Sequence, residues 1–294
     1  MDIAPAGAIP AASARVADFV ELTKPRITML VLITTAVGYA VAWRGSFEAA
    51  TFVALILGTA LLSGGASALN QYVERDLDAR MRRTRSRPLP SGRLLPPEAA
   101  TFGLLVSAAG LLLLAAAGWL PLLLGAFALT SYVLAYTPLK RVSSLCTVVG
   151  AVPGAIPPMM GWAAARGRLD AGAWALFAVL FLWQLPHFLA IGWMYREDYA
   201  RGGFPMLPVT DPDGRSTGRQ MVLYSAALLP VTLVAGVLAT AGSAYLVGAV
   251  ALGAAFLGFS VRFARAKTTA AARWLFLISI LYLPALLGLM VFDR

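Results

Sequence analysis

This chain of 294 residues contains a single thiol, Cys146, and a single imidazole, His187. A disulfide framework, a CxxCH haem attachment site and a cysteine-rich metal cluster are thereby excluded within the chain. So is a multi-histidine zinc site. Charge is scarce too: 13% of residues are charged against 59% hydrophobic, and the mean hydropathy is +0.75. Such a composition is too apolar for an ordinary soluble domain and belongs in a lipid bilayer. Only fourteen residues are acidic, and none falls in the middle of an apolar run, where a charge costs roughly 2.5–3.5 kcal/mol on insertion scales. A proton or ion relay through the bilayer is disfavoured on that ground. The first 21 residues, rich in Ala and Pro and carrying Asp2, Arg15 and Asp18, lack the continuous apolar core of a cleavable signal peptide. They read as a mobile tail ahead of a single transmembrane domain over 22–294.

What the chain has in abundance is long apolar runs, near 27–43, 50–73, 99–118, 120–137, 144–164, 171–194, 220–241, 243–261 and 271–292. Each is long enough to cross a hydrocarbon core of about 30 Å, so the expected fold is an all-α integral membrane bundle of about nine transmembrane helices. Gly118-Trp119-Leu120-Pro121 and Ala241-Gly242-Ser243 carry no charge, yet their Gly and Pro content predicts tight hairpins rather than uninterrupted helices. The formal charge is +10. Its basic residues sit in short loops, which membrane topology explains more simply than a nucleic-acid partner does. Counted on alternate sides of nine spans, 20 lysines and arginines lie on the side of the amino terminus, and Arg44, Arg166, Arg168 and Arg294 lie on the other. Positive loops stay in the cytoplasm, so the amino terminus is expected inside and the carboxyl terminus outside.

The most informative stretch follows the second apolar run. Between Glu74 and Arg87 lie three acidic residues and six arginines. If the helix runs on into this segment, Asn70, Glu74 and Asp78 share one face, each about 6 Å further along the axis. Oxygen donors of this kind suit Mg²⁺, which takes one or two carboxylates and shares its remaining sites with water and phosphate oxygens. Arginine suits the phosphates themselves, through bidentate pairing. Glu197 and Asp198 follow the sixth run and reach the same face, a weak internal repeat. Two acid groups beside a basic cavity at a membrane surface point to a substrate with a diphosphate head and a lipid tail. Lys24, Arg26, Arg82, Lys140 and Arg141, at helix ends on the same side, are the candidates to bind the diphosphate. A polar cytoplasmic loop that merely obeys topology is the alternative for this cluster.

Asn70-xxx-Glu74-Arg75-Asp76-x-Asp78, followed by Arg83-Thr84-Arg85-x-Arg87-Pro88-Leu89-Pro90-Ser91-Gly92, resembles the first signature of the UbiA superfamily of intramembrane prenyltransferases, and in particular its haem-modifying branch. The resemblance extends through Leu22-Thr23-Lys24-Pro25-Arg26, Tyr136-Thr137-Pro138-Leu139-Lys140-Arg141, Gly154 to Trp162, Trp183-Gln184-Leu185-Pro186-His187-Phe188 and Arg196-Glu197-Asp198-Tyr199 to Pro205-Met206-Leu207-Pro208. It implies Mg²⁺-dependent transfer of a farnesyl group from farnesyl diphosphate to a haem B acceptor, in the inner membrane, with the mouth of the site on the cytoplasmic side. Asn70, Glu74, Asp78 and Asp198 would be the catalytic and metal-binding set. A downstream haem-modifying enzyme or a terminal oxidase assembly would receive the product. The second motif of the superfamily is usually DxxxD, whereas Asp198 is followed four residues later by Gly202. That departure disfavours a benzoate-type acceptor and leaves Asp198, with Glu197 second, as ligands.

In a continuous helix His187, Met194 and Asp198 share a face, with His187 about 16 Å deeper than Asp198. A neutral imidazole can ligate or hydrogen-bond a porphyrin, and equally it can bond a neighbouring helix. With the resemblance, His187, Gln184 and Trp183 become the candidate haem acceptor pocket. A prenyltransferase for a quinone precursor or another tetrapyrrole, a membrane transporter and an assembly factor for a respiratory complex are the alternative readings.

Overall fold

The computed structural model describes residues 12–293 of the chain. Among these residues nine helices are long and apolar enough to cross a membrane: Pro25–Ala42, Ala49–Asp78, Pro96–Ala117, Trp119–Leu139, Cys146–Arg166, Ala171–Met194, Arg215–Ala239, Ser243–Ala266 and Thr269–Phe292. The expected bundle is therefore present, and both uncharged hairpins are as tight as anticipated. Gly118, at φ 135°, is the one residue between two helices, and Thr240 and Gly242 flank the other turn.

In chain order the helices are α1 (Ala12–Leu22), α2 (Pro25–Ala42), α3 (Ala49–Asp78), α4 (Pro96–Ala117), α5 (Trp119–Thr130), a π-helical stretch (Ser131–Tyr136), α6 (Thr137–Leu139), α7 (Cys146–Ala155), α8 (Pro157–Arg166), α9 (Ala171–Met194), α10 (Arg196–Arg201), α11 (Leu207–Thr210), α12 (Arg215–Ala239), α13 (Ser243–Ala266) and α14 (Thr269–Phe292). Neighbouring pairs α3–α4, α2–α8, α9–α12, α12–α13 and α13–α14 pack along their lengths, and α14 returns to touch α2. Lipid tails are as apolar as leucine, so close backbone approach and polar contacts drive this packing. Gly110 on α4 supplies such an approach, because a Cβ there would meet the Leu62 amide nitrogen at 2.6 Å. Gly161 supplies another, against the Thr35 carbonyl of α2. At its start α9 is capped by Asp170, whose carboxylate accepts the Gly172 N–H at 3.1 Å.

Two expectations are corrected. The mobile tail expected over 1–21 falls partly outside the described residues (1–11); from residue 12 the chain is helix α1, which runs across the expected boundary at 21/22. Its ion pairs explain this. Asp18 and Glu21 both meet Arg93, Arg15 meets Glu98, Phe19 rests on Phe102 with ring centroids 5.0 Å apart, and Leu22 is fully buried. The second correction concerns α9, which does not continue to Asp198. Tyr195 leaves helical geometry at φ −113°, ψ 22°, and a new helix, α10, carries Asp198.

At about 1.5 Å per residue, the 30 residues of α3 extend about 45 Å, well beyond a hydrocarbon core of about 30 Å. Its last turns therefore project at one end of the bundle, and they carry Asn70, Glu74 and Asp78.

Candidate active site

Asn70, Glu74 and Asp78 are 2%, 3% and 1% exposed, and each faces a cation. The Asn70 side-chain oxygen accepts from Lys24 Nζ at 3.2 Å while its amide donates to Thr137 Oγ1 at 3.1 Å. Glu74 pairs with Lys140 Nζ at 2.6 Å, and Asp78 with an Arg87 guanidinium nitrogen at 2.7 Å. Four local features assemble the cluster. Lys24 caps α2 in the left-handed region at φ 49°, which turns its side chain back towards α3. The π-helical stretch places the Thr137 hydroxyl between Asn70 and the Tyr132 carbonyl, to which it donates at 2.8 Å. Such π-turns recur at functional sites because one extra residue per turn re-aims the side chains beyond it. Lys140 follows directly after α6. Finally, Thr84 Oγ1 donates to the Asp78 carbonyl at 2.8 Å and folds the arginine loop back, bringing Arg87 to Asp78.

Burial and charge act against each other here. Desolvation, reinforced by the neighbouring Arg87 and Lys140, holds the Lys24 ammonium down at about 7. Burial would lower Lys140 as well, but the Glu74 carboxylate, through its charge and hydrogen bond, acts with Tyr132 and Tyr199 to raise that ammonium above its ordinary value. The Lys140 ammonium also lies over the rings of Tyr136, 4.8 Å from the centroid, and Phe204, at 5.6 Å. Tyr132 stands beside Tyr136 with ring centroids 5.3 Å apart. The buried acids thus meet an aromatic wall along one side.

Asp198 is also buried, at the same end of the bundle, yet its partners differ from those of the α3 acids. Its carboxylate oxygens accept the backbone N–H groups of Arg82 at 2.9 Å and Arg83 at 3.1 Å, and Arg201 donates to it at 2.5 Å. Although partial desolvation works the other way, these bonds hold the carboxyl below its ordinary range. Asp198 thereby ties α10 to the loop that supplies Arg87. Among the described residues no three acidic, histidine or cysteine side chains converge as a metal cage. The donors that do gather are two carboxylates and one amide oxygen. Mg²⁺, which completes its shell with water and phosphate oxygens, fits such a set.

The remaining predicted residues are dispersed. Arg26 is exposed, Arg141 donates to the Val73 carbonyl at 2.6 Å, and Arg82 lines a separate cavity beyond Asp198. His187 and Trp183 face α14: His187 Nδ1 bonds Ser279 Oγ at 2.7 Å, Trp183 Nε1 donates to the Ser279 carbonyl at 2.9 Å, and the two rings stack 5.0 Å apart. Gln184 points the other way, donating to the Ala151 and Leu180 carbonyls at 3.0 Å each. Arg87, Thr137, Tyr132 and Phe204 were not among the sequence candidates for the site. Their signal was present in part, since Arg87 and Thr137 lie inside the two motifs, but nothing in the spacing marks Phe204.

Residues 31–282 match the UbiA prenyltransferase family. A protoheme IX farnesyltransferase from Solibacter usitatus (strain Ellin6076) is 50% identical over 291 residues, covering 94% of this chain and 98% of that protein. Among solved structures, digeranylgeranylglyceryl phosphate synthase superposes with a TM-score of 0.81 at 14% identity, over 95% of this chain and 98% of the other. A UbiA homologue from Archaeoglobus fulgidus bound to GPP and Mg²⁺ superposes with a TM-score of 0.65 at 14% identity, over 93% and 99%.

Proposed function

The chain belongs to the UbiA prenyltransferase family, and from that premise we propose that it transfers a farnesyl group from farnesyl diphosphate to a vinyl group of protohaem IX (haem B), forming haem O and releasing diphosphate. The observation that carries this reading is the buried cluster at the end of α3, where Lys24, Arg87 and Lys140 converge on Asn70, Glu74 and Asp78 beside an aromatic wall. Arg87, Lys140 and Lys24, the last drawn into its charged form by an arriving anion, match a leaving group of high negative charge, and electrostatic interactions in a partly desolvated recess are stronger than in water.

Lys24, Arg87 and Lys140 bind the diphosphate oxygens and stabilise the charge that grows as the allylic C1–O bond breaks. Asn70, Glu74 and Asp78 would hold Mg²⁺; when bound, the ion supplies Lewis-acid neutralisation of the departing diphosphate. Tyr136, Tyr132 and Phe204 exclude water and offer their ring faces to the cationic allyl group. A haem vinyl carbon then bonds to C1, water adds to the resulting cation at the adjacent carbon, and a proton leaves, which gives the hydroxyethylfarnesyl side chain. His187 and Trp183 are assigned to the acceptor side, and Asp198 to holding the arginine loop in register. The mouth of the site is assigned to the cytoplasmic side, with the amino terminus inside and the carboxyl terminus outside, on the charge asymmetry of the loops.

The test is diphosphate release by the purified protein in detergent. Release is expected only when farnesyl diphosphate, haem B and Mg²⁺ are all present, and to stop on chelation. Release at the same rate without haem B would overturn the acceptor, and release unaffected by chelation would overturn the metal.

A further inference from the structure

Beside Asp198, at the same end of the bundle, lies a cavity of about 500 Å³. Ligand pockets generally fall within roughly 300–1,000 Å³. Four arginines line it: Arg82 and Arg83 from the loop after α3, Arg196 and Arg201 from α10. Opposed to them are Glu197 and Asp198, and Asp198 is already engaged by Arg201 and two backbone amides. The guanidinium of Arg196 lies on the face of Trp193, 4.4 Å from the ring, which leaves its N–H edge open. Arg83 lies over Tyr195 and Tyr199 in the same way. Neither the Arg82 nor the Arg196 side chain has a hydrogen-bond or ion-pair partner among the described residues.

We infer that this cavity is a second anion site, which receives the carboxylate edge of the planar acceptor. The inference rests on the proposed haem farnesylation and deepens it. Guanidinium edges pair with carboxylates in bidentate fashion, and the aromatic faces beneath Arg196 and Arg83 hold those edges in place at little entropic cost. Position supports the same occupant. Met194, which lines the cavity, follows His187 by seven residues on α9, about 10 Å along one face of the helix, and Thr269, also in the lining, begins the helix that carries Ser279 and Phe276. The cavity thus caps the seam between α9 and α14, where His187 stacks on Trp183 and Phe276. Haem B carries its two propionates on one edge and its vinyl groups on the opposite one. Holding the propionates at the arginines turns a vinyl edge away from them. Asp198 accepts the backbone N–H groups of Arg82 and Arg83, on the same loop that presents Arg87 to Asp78, so the donor and acceptor anions would draw on different side chains of one loop.

The test compares haem B with its propionate dimethyl ester, in the wild type and in Arg196→Gln, Arg82→Gln and the double variant. Binding is followed by haem absorbance and tryptophan quenching without farnesyl diphosphate, and transfer by product mass. The wild type is expected to bind haem B at least about tenfold more tightly than the ester. The double variant should lose that preference while its KM for farnesyl diphosphate stays within twofold. Equal weakening for haem B and ester, or an undiminished preference in the double variant, would overturn the inference. Anionic-lipid vesicles supply the competing arm: if they displace no haem B yet bind in an Arg196-dependent manner, the cavity is a lipid headgroup site and the inference fails. Should haem B bind with the predicted preference but no farnesyl transfer occur, the acceptor-edge site stands and the proposed reaction is what fails.

Discussion

Replacing Asp198 with asparagine separates a metal ligand from a residue that positions the arginine loop. In the structure both carboxylate oxygens are in use, one facing the Arg82 N–H at 2.9 Å and the other the Arg83 N–H at 3.1 Å. An asparagine keeps one acceptor and presents a donor to the second amide. Leaving a buried donor unsatisfied costs about 1–3 kcal/mol. The contact with Arg201, whose side chain is 40% exposed, adds at most about 1 kcal/mol after solvent screening. A combined cost of about 1–4 kcal/mol falls on the loop that presents Arg87 to Asp78, and at 1.36 kcal/mol per tenfold it corresponds to a loss of roughly 5- to 900-fold in kcat/KM for farnesyl diphosphate. The assay is initial-rate kinetics in detergent with farnesyl diphosphate and Mg²⁺ titrated separately. Asp198→Asn should raise the KM for farnesyl diphosphate while the Mg²⁺ concentration for half-maximal rate, at saturating donor, stays within twofold. A tenfold rise in that concentration with an unchanged KM would refute the reasoning and make Asp198 a metal ligand.

Glu74→Gln should abolish most turnover and also destabilise the fold by about 3–5 kcal/mol, because Lys140 is left as an uncompensated charge in a recess; thermal melting in detergent should show the double change Glu74→Gln/Lys140→Met regaining stability without regaining activity. Gly161→Leu should lower the melting temperature sharply, since even a Cβ at this position overlaps the Thr35 carbonyl and must force α2 from α8. Asp211 is buried, which alone would raise its pKa, but the Thr217 N–H at 2.6 Å and its other hydrogen bonds hold the carboxyl below its ordinary value of 3.8. Its contribution is therefore fully present above about pH 4 and is lost as the pH falls through the lowered folded value; Asp211→Ala should flatten the acid limb of a melting-temperature profile and cost about 1 kcal/mol at pH 7, because the Thr217 N–H in the first turn of α12 loses its acceptor. His187→Ala should impair use of haem B more than use of farnesyl diphosphate, and equal losses in the two KM values would assign the Ser279 bond a purely structural role.

The nine spans were legible because bilayer thickness imposes a run length that composition reports directly, and the uncharged turns at Gly118 and Gly242 were legible because glycine marks them. The α3 acids were legible because a helical repeat of four fixes a face whatever the tertiary context. Helix α1 was missed because its order comes from Arg93 and Glu98, some 75 to 83 residues away, which no local pattern encodes. The break at Tyr195 was missed for a related reason: the backbone turns there so that Asp198 can reach the Arg82 and Arg83 amides. Among the basic residues, proximity to a helix end picked out Lys24 and Lys140, which converge on the acids, but equally Arg26 and Arg141, which do not. Only the fold-back of the arginine loop onto Asp78 distinguishes Arg87 from Arg82. Phe204 reaches the cluster through a loop that returns from α10, a contact with no sequence periodicity behind it.

The most direct test of the reaction is to incubate the purified chain with haem B, farnesyl diphosphate and Mg²⁺ and to determine the porphyrin masses. A product heavier than haem B by one farnesyl group and the elements of one water less a proton is expected, absent when chelator is added or when Glu74 is replaced by Gln. A folded, haem-binding protein that returns haem B unchanged under these conditions would contradict the proposed reaction.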